Sequence, residues 1–201
     1  MYQIADQRFE LPPRHGMVQN TFESEPRFSF YRKPVSNPLV YKDITLQDAF
    51  NYITGPYAKG QTDVLRSIED SKQKAQYKAW HFDYVTFSGC FRKRSNESLI
   101  QHSGLVCFDF DHVGDKLAVD DLKRQIIEDE SLDVRLAFRS PSGDGLKVVL
   151  AVEILKYPHW DWFMCLSRYF EANYGIAPDP SGKDVARACF LPHDAECYLK
   201  R

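Results

Sequence analysis

The chain reads as an α/β (α+β) fold whose second half is a βαββαβ unit, and three features of its 201 residues predict this. Short runs rich in β-branched and aromatic residues recur between residues 83 and 192, each bounded by glycine, proline or aspartate. Two longer segments between them carry apolar residues at helical spacing. The glycine-bearing turn "PSGDG" (141–145) joins two of the runs directly, as a hairpin does.

Taken in order, residues 1–44 are rich in proline and aromatics ("LPPRH", "PRFSFYRKPVSNPLVYKD") and read as extended segments and loops, with one short strand in "PRFSFYRKP". "TLQDAFNYITGPY" from Thr45 has a capping hydroxyl, helical apolar spacing and a Gly55-Pro56 stop. "QTDVLRSIEDSKQKAQYKAW" continues as a second, mostly polar helix. A composition shift near residue 80 divides the chain into an extended and helical module, 1–82, packed on a core, 83–201. In the core, "DYVTFSGCF" (83–91) and "GLVCFDF" (104–110) are strands, the second apolar enough to be central. "VDDLKRQIIEDE" (119–130) is a helix with Val119, Leu122, Ile126 and Ile127 on one face. "DVRLAFRS" (133–140) and "LKVVLAVE" (146–153) are strands on either side of the hairpin. "PHWDWFMCLSRYFEANYG" (158–175) starts at proline and ends at glycine, with Trp160, Trp162, Phe163, Tyr169 and Phe170 as its core face. "VARACFLP" (185–192) is the closing strand. From residue 104 the order is the split, ferredoxin/RRM-like arrangement.

This order has a geometric consequence. The end of "GLVCFDF", the hairpin and the segment "PDPSGKD" all fall at one rim of the sheet, so Asp109, Asp111, Ser142, Lys147, Asp179, Asp184 and Arg187 gather there. Asp109 and Asp111, two apart on a strand, share a face, and like charges so placed call for a cation. Carboxylates beside a glycine turn and two basic residues suit phosphoryl transfer assisted by Mg2+ or Mn2+. Lys147 and Arg187 are then phosphate contacts, and Gly143 and Gly145 let backbone approach the ligand.

The composition sets limits. With 43% hydrophobic residues the chain can bury a real core, and no apolar run approaches the roughly 20 residues that span a bilayer. "MYQIADQRFELPPRH" lacks the apolar stretch of a secretory signal, and five cysteines without a CxxC pair suit reduced thiols, so a cytoplasmic protein with no membrane partner is expected. A formal charge of −2 argues against tight non-specific DNA binding, although a local groove can still be positive.

The set "GLVCFDFDHV", "SPSGDGLKVVL" and "DPSGKDVARACFLP" resembles the three motifs of the archaeo-eukaryotic primase (primase–polymerase) superfamily, and more narrowly its VirE N-terminal-domain-like branch, over residues 80–201. The resemblance implies a primase–polymerase fold and Asp109 and Asp111 as metal ligands, with Lys147 at the position where relatives carry a nucleotide-contacting histidine. It implies Asp179 as a further metal and catalytic aspartate, Arg187 eight residues on as a nucleotide contact, and Asp184 between them as a second metal candidate. Ser142, Gly143 and Gly145 complete the implied nucleotide site. A nucleoside triphosphate, a single-stranded nucleic-acid template and a helicase domain or protein are the implied partners. No GxxxxGK[ST] occurs, so no P-loop motor is visible in the sequence. Phe190 and Pro192-His193 stand where many relatives have a further arginine and a Pro-Gly.

Other readings stand beside this one. "CFRKRSNES" offers Arg92, Lys93 and Arg94 to a nucleic-acid backbone, or is a solvated loop. Arg187 beside Asp184 reads equally as a surface ion pair. "CFLPHDAEC" holds Cys189, His193 and Cys197 as zinc candidates without a fourth ligand. A non-catalytic nucleic-acid-binding module of the same fold is the first alternative function. A haloacid-dehalogenase-like phosphatase, with the first Asp as nucleophile, is the second, although Val113 stands where that family expects threonine.

Overall fold

A computed structural model describes residues 25–201. The readings placed on residues 1–24, including "LPPRH" as extended chain, lie outside the described residues. The first strand, β1 (Arg27–Tyr31), falls within "PRFSFYRKP", and β2 (Val40–Thr45) lies antiparallel to it, a second strand where the sequence reads only as extended segments and loops. Thr45 then caps α1 (Leu46–Thr54): its hydroxyl accepts from Asp48 N–H while the Asp48 carboxylate accepts from Thr45 N–H, a reciprocal capping box.

The long polar helix expected next is two. Helix α2 (Lys59–Ser67) stops, and Asp70 restarts the chain as α3 (Ser71–His81) by accepting from Gln73 N–H at 2.8 Å. "DYVTFSGCF" likewise divides, into β3 (Tyr84–Thr86) and β4 (Gly89–Phe91), and β4 pairs with an unforeseen β5 (Leu99–His102). Then follow β6 (Leu105–Phe110), α4 (Lys116–Glu128), β7 (Val134–Arg139), β8 (Leu146–Ala151) and α5 (His159–Tyr174), all within the predicted segments or a few residues of them. Gly175 ends α5 in the left-handed region, φ 67°, where a side chain would be strained. The last strands are β9 (Cys189–Phe190) and β10 (Tyr198–Leu199).

Two four-stranded sheets result, in the orders β2-β1-β3-β9 and β10-β7-β8-β6, with every pairing antiparallel. Strand alternation divides the second sheet. Val106, Phe108 and Phe110 of β6, with Val148 and Leu150 of β8, pack against Val119 and Ile126 of α4 and Phe163 and Phe170 of α5. On the opposite face Leu105, Leu136, Phe138 and Val149 meet Phe28, Phe30 and Val85 of the first sheet and Ala49 and Ile53 of α1. The order is therefore helices, sheet, sheet, with α1 against the second core. Of the aromatic set on α5, Phe163, Tyr169 and Phe170 are buried, whereas Trp160 is exposed.

Mixed α/β architecture is as predicted, but the closing strand of the βαββαβ unit is not where that arrangement puts it. Only Cys189–Phe190 of "VARACFLP" is extended, and it pairs with β3 in the first sheet. The free edge of β6 is met instead by a 3-10 turn, Pro180–Lys183. Pro178 and Pro180 have no N–H, so Asp179 supplies the bond, its N–H donating to Asp109 O at 2.8 Å. A side chain at Gly182 would come within 2.6 Å of the Phe163 ring of α5 and 3.1 Å of Cys107 O of β6, so glycine lets the turn pack closely against both. Strand β10 takes the outer edge beside β7. The predicted boundary at 82/83 falls just before β3, which pairs with both β1 and β9, so the two segments share one sheet. Among the described residues no helix is long and apolar enough to cross a membrane.

Candidate active site

Strands β6 and β7 flank β8 and both end at the same rim. The register sets Asp109 opposite Lys147 and Phe110 opposite Leu146. Alternation turns Asp109 and Lys147 away from α4 and α5, toward the space between the sheets, and Asp111 follows just past the end of β6. The 3-10 turn brings Asp179 alongside, and ligating atoms of Asp109, Asp111 and Asp179 lie within 4.8 Å of one another. Asp109 and Asp111 line a cavity of about 350 Å3, and Asp179 adjoins it through its bond to Arg187, which also lines it. Its other walls are Ser140–Ser142 of the hairpin, apolar Val35, Ala188 and Phe190, and four basic residues, Lys78, Arg94, Lys147 and Arg187.

The three carboxylates are held differently. Asp109 gives Oδ2 to the Lys147 ammonium, which is 7% exposed, while its Oδ1 is buried with no hydrogen-bond partner. Burial alone would lower the Lys147 pKa; the Asp109 carboxylate overcomes it and raises the value. Asp179 accepts from Ser181 N–H at 2.9 Å and from Arg187 Nη2 at 2.9 Å. Desolvation works against that charge, but Ser181, Arg187 and Lys147 together hold the carboxyl below the usual range. Asp111 is exposed at the mouth. Desolvation by the walls and then the Asp109 charge push its carboxyl above the ordinary range, with Lys147 and Lys78 pulling the other way. An all-oxygen set with one buried oxygen unsatisfied is the donor chemistry a hard divalent cation takes.

Several expected residues are placed elsewhere. Asp184 is exposed and outside the acidic trio; it caps the end of the 3-10 turn, and its charge acts on His159. Arg187 pairs with Asp179 rather than with its neighbour Asp184. Ser142 lines the cavity, but Gly143 and Gly145 use their N–H groups inside the turn, on Ser140 O at 3.0 Å and Ser140 Oγ at 3.1 Å. The need for glycine at 145 is steric, since a Cβ there would lie 2.5 Å from Phe110 O. Of the basic loop, Arg94 reaches the cavity, tied down by Val35 O at 2.9 Å and the Tyr84 hydroxyl at 3.3 Å, whereas Arg92 and Lys93 are exposed beyond it. Cys189, His193 and Cys197 form no ligand group among the described residues. His193 Nδ1 donates instead to the Ile53 and Gly55 carbonyls at the end of α1.

Two contributors were missed. Lys78 comes from α3, outside any motif, and Arg66 of α2 clamps the hairpin by donating to Pro141 O and Ser140 O, each at 3.3 Å. Nothing local in "SKQKAQYKAW" sets Lys78 apart from Lys72 and Lys74; only tertiary packing selects it.

No curated protein and no solved structure matches the chain. The sequence profile described as "BT4734-like, N-terminal domain" matches residues 77–199, more than half of the chain, and spans Lys78, Arg94, the acidic trio, Lys147 and Arg187. On that match the chain belongs to the BT4734-like N-terminal domain family.

Proposed function

We propose that the chain is a primase–polymerase-like domain of a mobile-element replication protein, carrying out metal-dependent nucleotidyl transfer on a nucleic-acid template. The observation that carries this reading is the meeting of Asp109 and Asp111 with Asp179, some 70 residues further along the chain, beside a cavity that the first two line together with four basic residues. Its volume of about 350 Å3 is within the usual range for small-molecule sites. The resemblance of the three motifs to primase–polymerases supports the same reading.

The donor set fits Mg2+ or Mn2+, and the buried, partnerless Asp109 Oδ1 is the specific sign of a missing ligand. Asp109, Asp111 and Asp179 would hold the ion. Bound there, it would favour the deprotonated form of an attacking hydroxyl and offset charge on the phosphates. Lys147 grips Asp109 Oδ2 and so fixes the orientation of that carboxylate. Arg187 and Ser181 N–H fix Asp179. Ser142 and Arg187 contact the nucleotide from the two sides. A strand's 3′-hydroxyl attacks the α-phosphorus, the bond from that phosphorus to the β-phosphate bridging oxygen breaks, pyrophosphate leaves, and the hydroxyl proton passes to solvent at the open mouth. Arg94, with Arg92 and Lys93 beyond it, leads the single-stranded template away, and template opening falls to a helicase domain or protein.

One observation favours a second reading. Lys147 already supplies a cation to Asp109, as a non-catalytic nucleic-acid module would need to keep its carboxylates together. Incorporation of labelled nucleotides on a single-stranded template, with Mg2+ or Mn2+, separates the two. Metal-dependent incorporation is expected, with a loss of more than about 100-fold in Asp111→Asn and an unchanged circular dichroism spectrum. Template binding without incorporation would select the second reading, and turnover of a generic phosphate monoester instead would select a phosphatase.

A further inference from the structure

The four basic residues around the cavity are not equivalent. Lys147 is buried and bound to Asp109, and Arg187 is bound to Asp179 at 2.9 Å. Arg94 is committed to Val35 O and to Tyr84, whose ring lies 5.4 Å from its guanidinium carbon. Lys78 makes no ion pair with a carboxylate among the described residues. Its ammonium lies 5.8 Å from the centroid of the Phe190 ring, half-buried, at the cavity wall. Burial, then the Lys147 charge, push its pKa down, and the carboxylates of Asp109, Asp111 and Asp144 act the other way through space without contact. Exposed Lys72 on the same helix shows where a lysine with only a solvation role would sit.

We propose that Lys78 is the cation that receives the polyphosphate of the cavity's ligand, the role that sequence order assigns to Lys147; this rests on the nucleotide reading above. An ammonium with three donors and no carboxylate to hold it suits phosphate oxygens, and aromatic support from Phe190 limits the freedom lost on binding. A triphosphate seated there lies between Lys78 and the acidic trio. The nucleotide tail is therefore gripped from the face of α3 rather than from the floor of the sheet.

The test is calorimetric binding of inorganic tripolyphosphate in EDTA, and of a non-hydrolysable nucleoside triphosphate with Mg2+, to the whole chain. Lys78→Met, which keeps the stem on Phe190 and removes the charge, should weaken both ligands about tenfold, and Lys78→Arg should stay within about threefold of the wild type. Lys72→Ala should change neither, and thermal unfolding checks that each variant folds. Equal affinity in Lys78→Met and wild type overturns the assignment to Lys78 alone. If the wild type binds neither ligand, the nucleotide reading falls and the assignment with it.

Discussion

Asp83 and Asp109 are both carboxylates drawn out of water beside a cation, yet the fold treats them in opposite ways. Asp83 is 1% exposed and saturated: Oδ2 accepts from Arg32 Nη1 at 3.0 Å and the Tyr52 hydroxyl at 3.2 Å, and Oδ1 from Lys33 N–H at 2.9 Å. Asp109 has one oxygen bound by Lys147 and the other buried without a partner, in a cluster with two more carboxylates. A buried acceptor left open costs free energy, so the fold maintains Asp109 against its own stability. Asp83 sits in a closed network, and the open one at Asp109 is where the proposed function places a ligand.

The largest effect expected from pressing on this contrast comes from Asp109→Ala, which strands the Lys147 ammonium in the interior. It should cost about 3–4 kcal/mol in urea unfolding, and adding Lys147→Met should recover more than half, because the pair is worse broken than absent. Asp83→Ala should cost less, about 2–3 kcal/mol, since Arg32, 43% exposed, can turn to water. There Arg32→Met should rescue nothing, as Lys33 N–H and the Tyr52 hydroxyl stay unsatisfied. Rescue at both sites, or at neither, would erase the distinction between the two networks.

The same contrast governs what was legible in the sequence. Strands β6, β7 and β8, their hairpin, and α5 between Pro158 and Gly175 were readable because their signals are local: apolar runs, a glycine turn, a proline start and a glycine stop. The partner of β9 was not, because it depends on Pro178 and Pro180 denying β6 a proper edge strand. At the site, the Asp109 and Asp111 pair was legible from its spacing on a strand, and Asp179 from the order of elements and the motif resemblance. Pairing was not: Arg187 sits three residues from Asp184 yet bonds Asp179, and Lys147 bonds Asp109 across a strand pair. Charge type is written in the sequence, whereas charge partnership is decided by packing.

A third network extends the comparison to pH. His102 Nδ1 accepts from Gly104 N–H at 3.0 Å, which leaves Nε2 to donate to His159 Nδ1 at 3.1 Å, and His159 Nε2 donates on to Gly182 O at 3.1 Å. The first bond requires a neutral His102 and the second a neutral His159, because in each a ring nitrogen accepts. Burial, then the neighbouring His159, push His102 down to about 4. A histidine whose folded pKa is depressed lends stability that is complete above its unfolded pKa, about 6.5, and is lost as pH falls toward 4. Between pH 7.5 and 4.5 the loss from His102 should approach about 2 kcal/mol in urea titrations, and His102→Gln should flatten most of that slope. An unchanged slope would place the proton uptake elsewhere.

The smallest effect is the one most specific to an open site, because it runs opposite to the usual sign of mutation. The Asp111 carboxyl is raised by desolvation and by Asp109, so whatever stability its protonated form lends is present at low pH and lost as pH rises through the folded value. At pH 7 the ionised side chain is therefore a net cost, reduced by its exposure to water. Asp111→Asn should raise the melting temperature by about 1–2 °C without metal, a gain in the range of other relieved surface charges. The same variant should lose the upward shift that millimolar Mn2+ gives the wild type, since an ion bound to the folded state stabilises it by mass action. A variant that melts lower, or that keeps the full Mn2+ shift, would mean that Asp111 belongs with Asp83 as a structural carboxylate, and that the trio does not act as one ligand set.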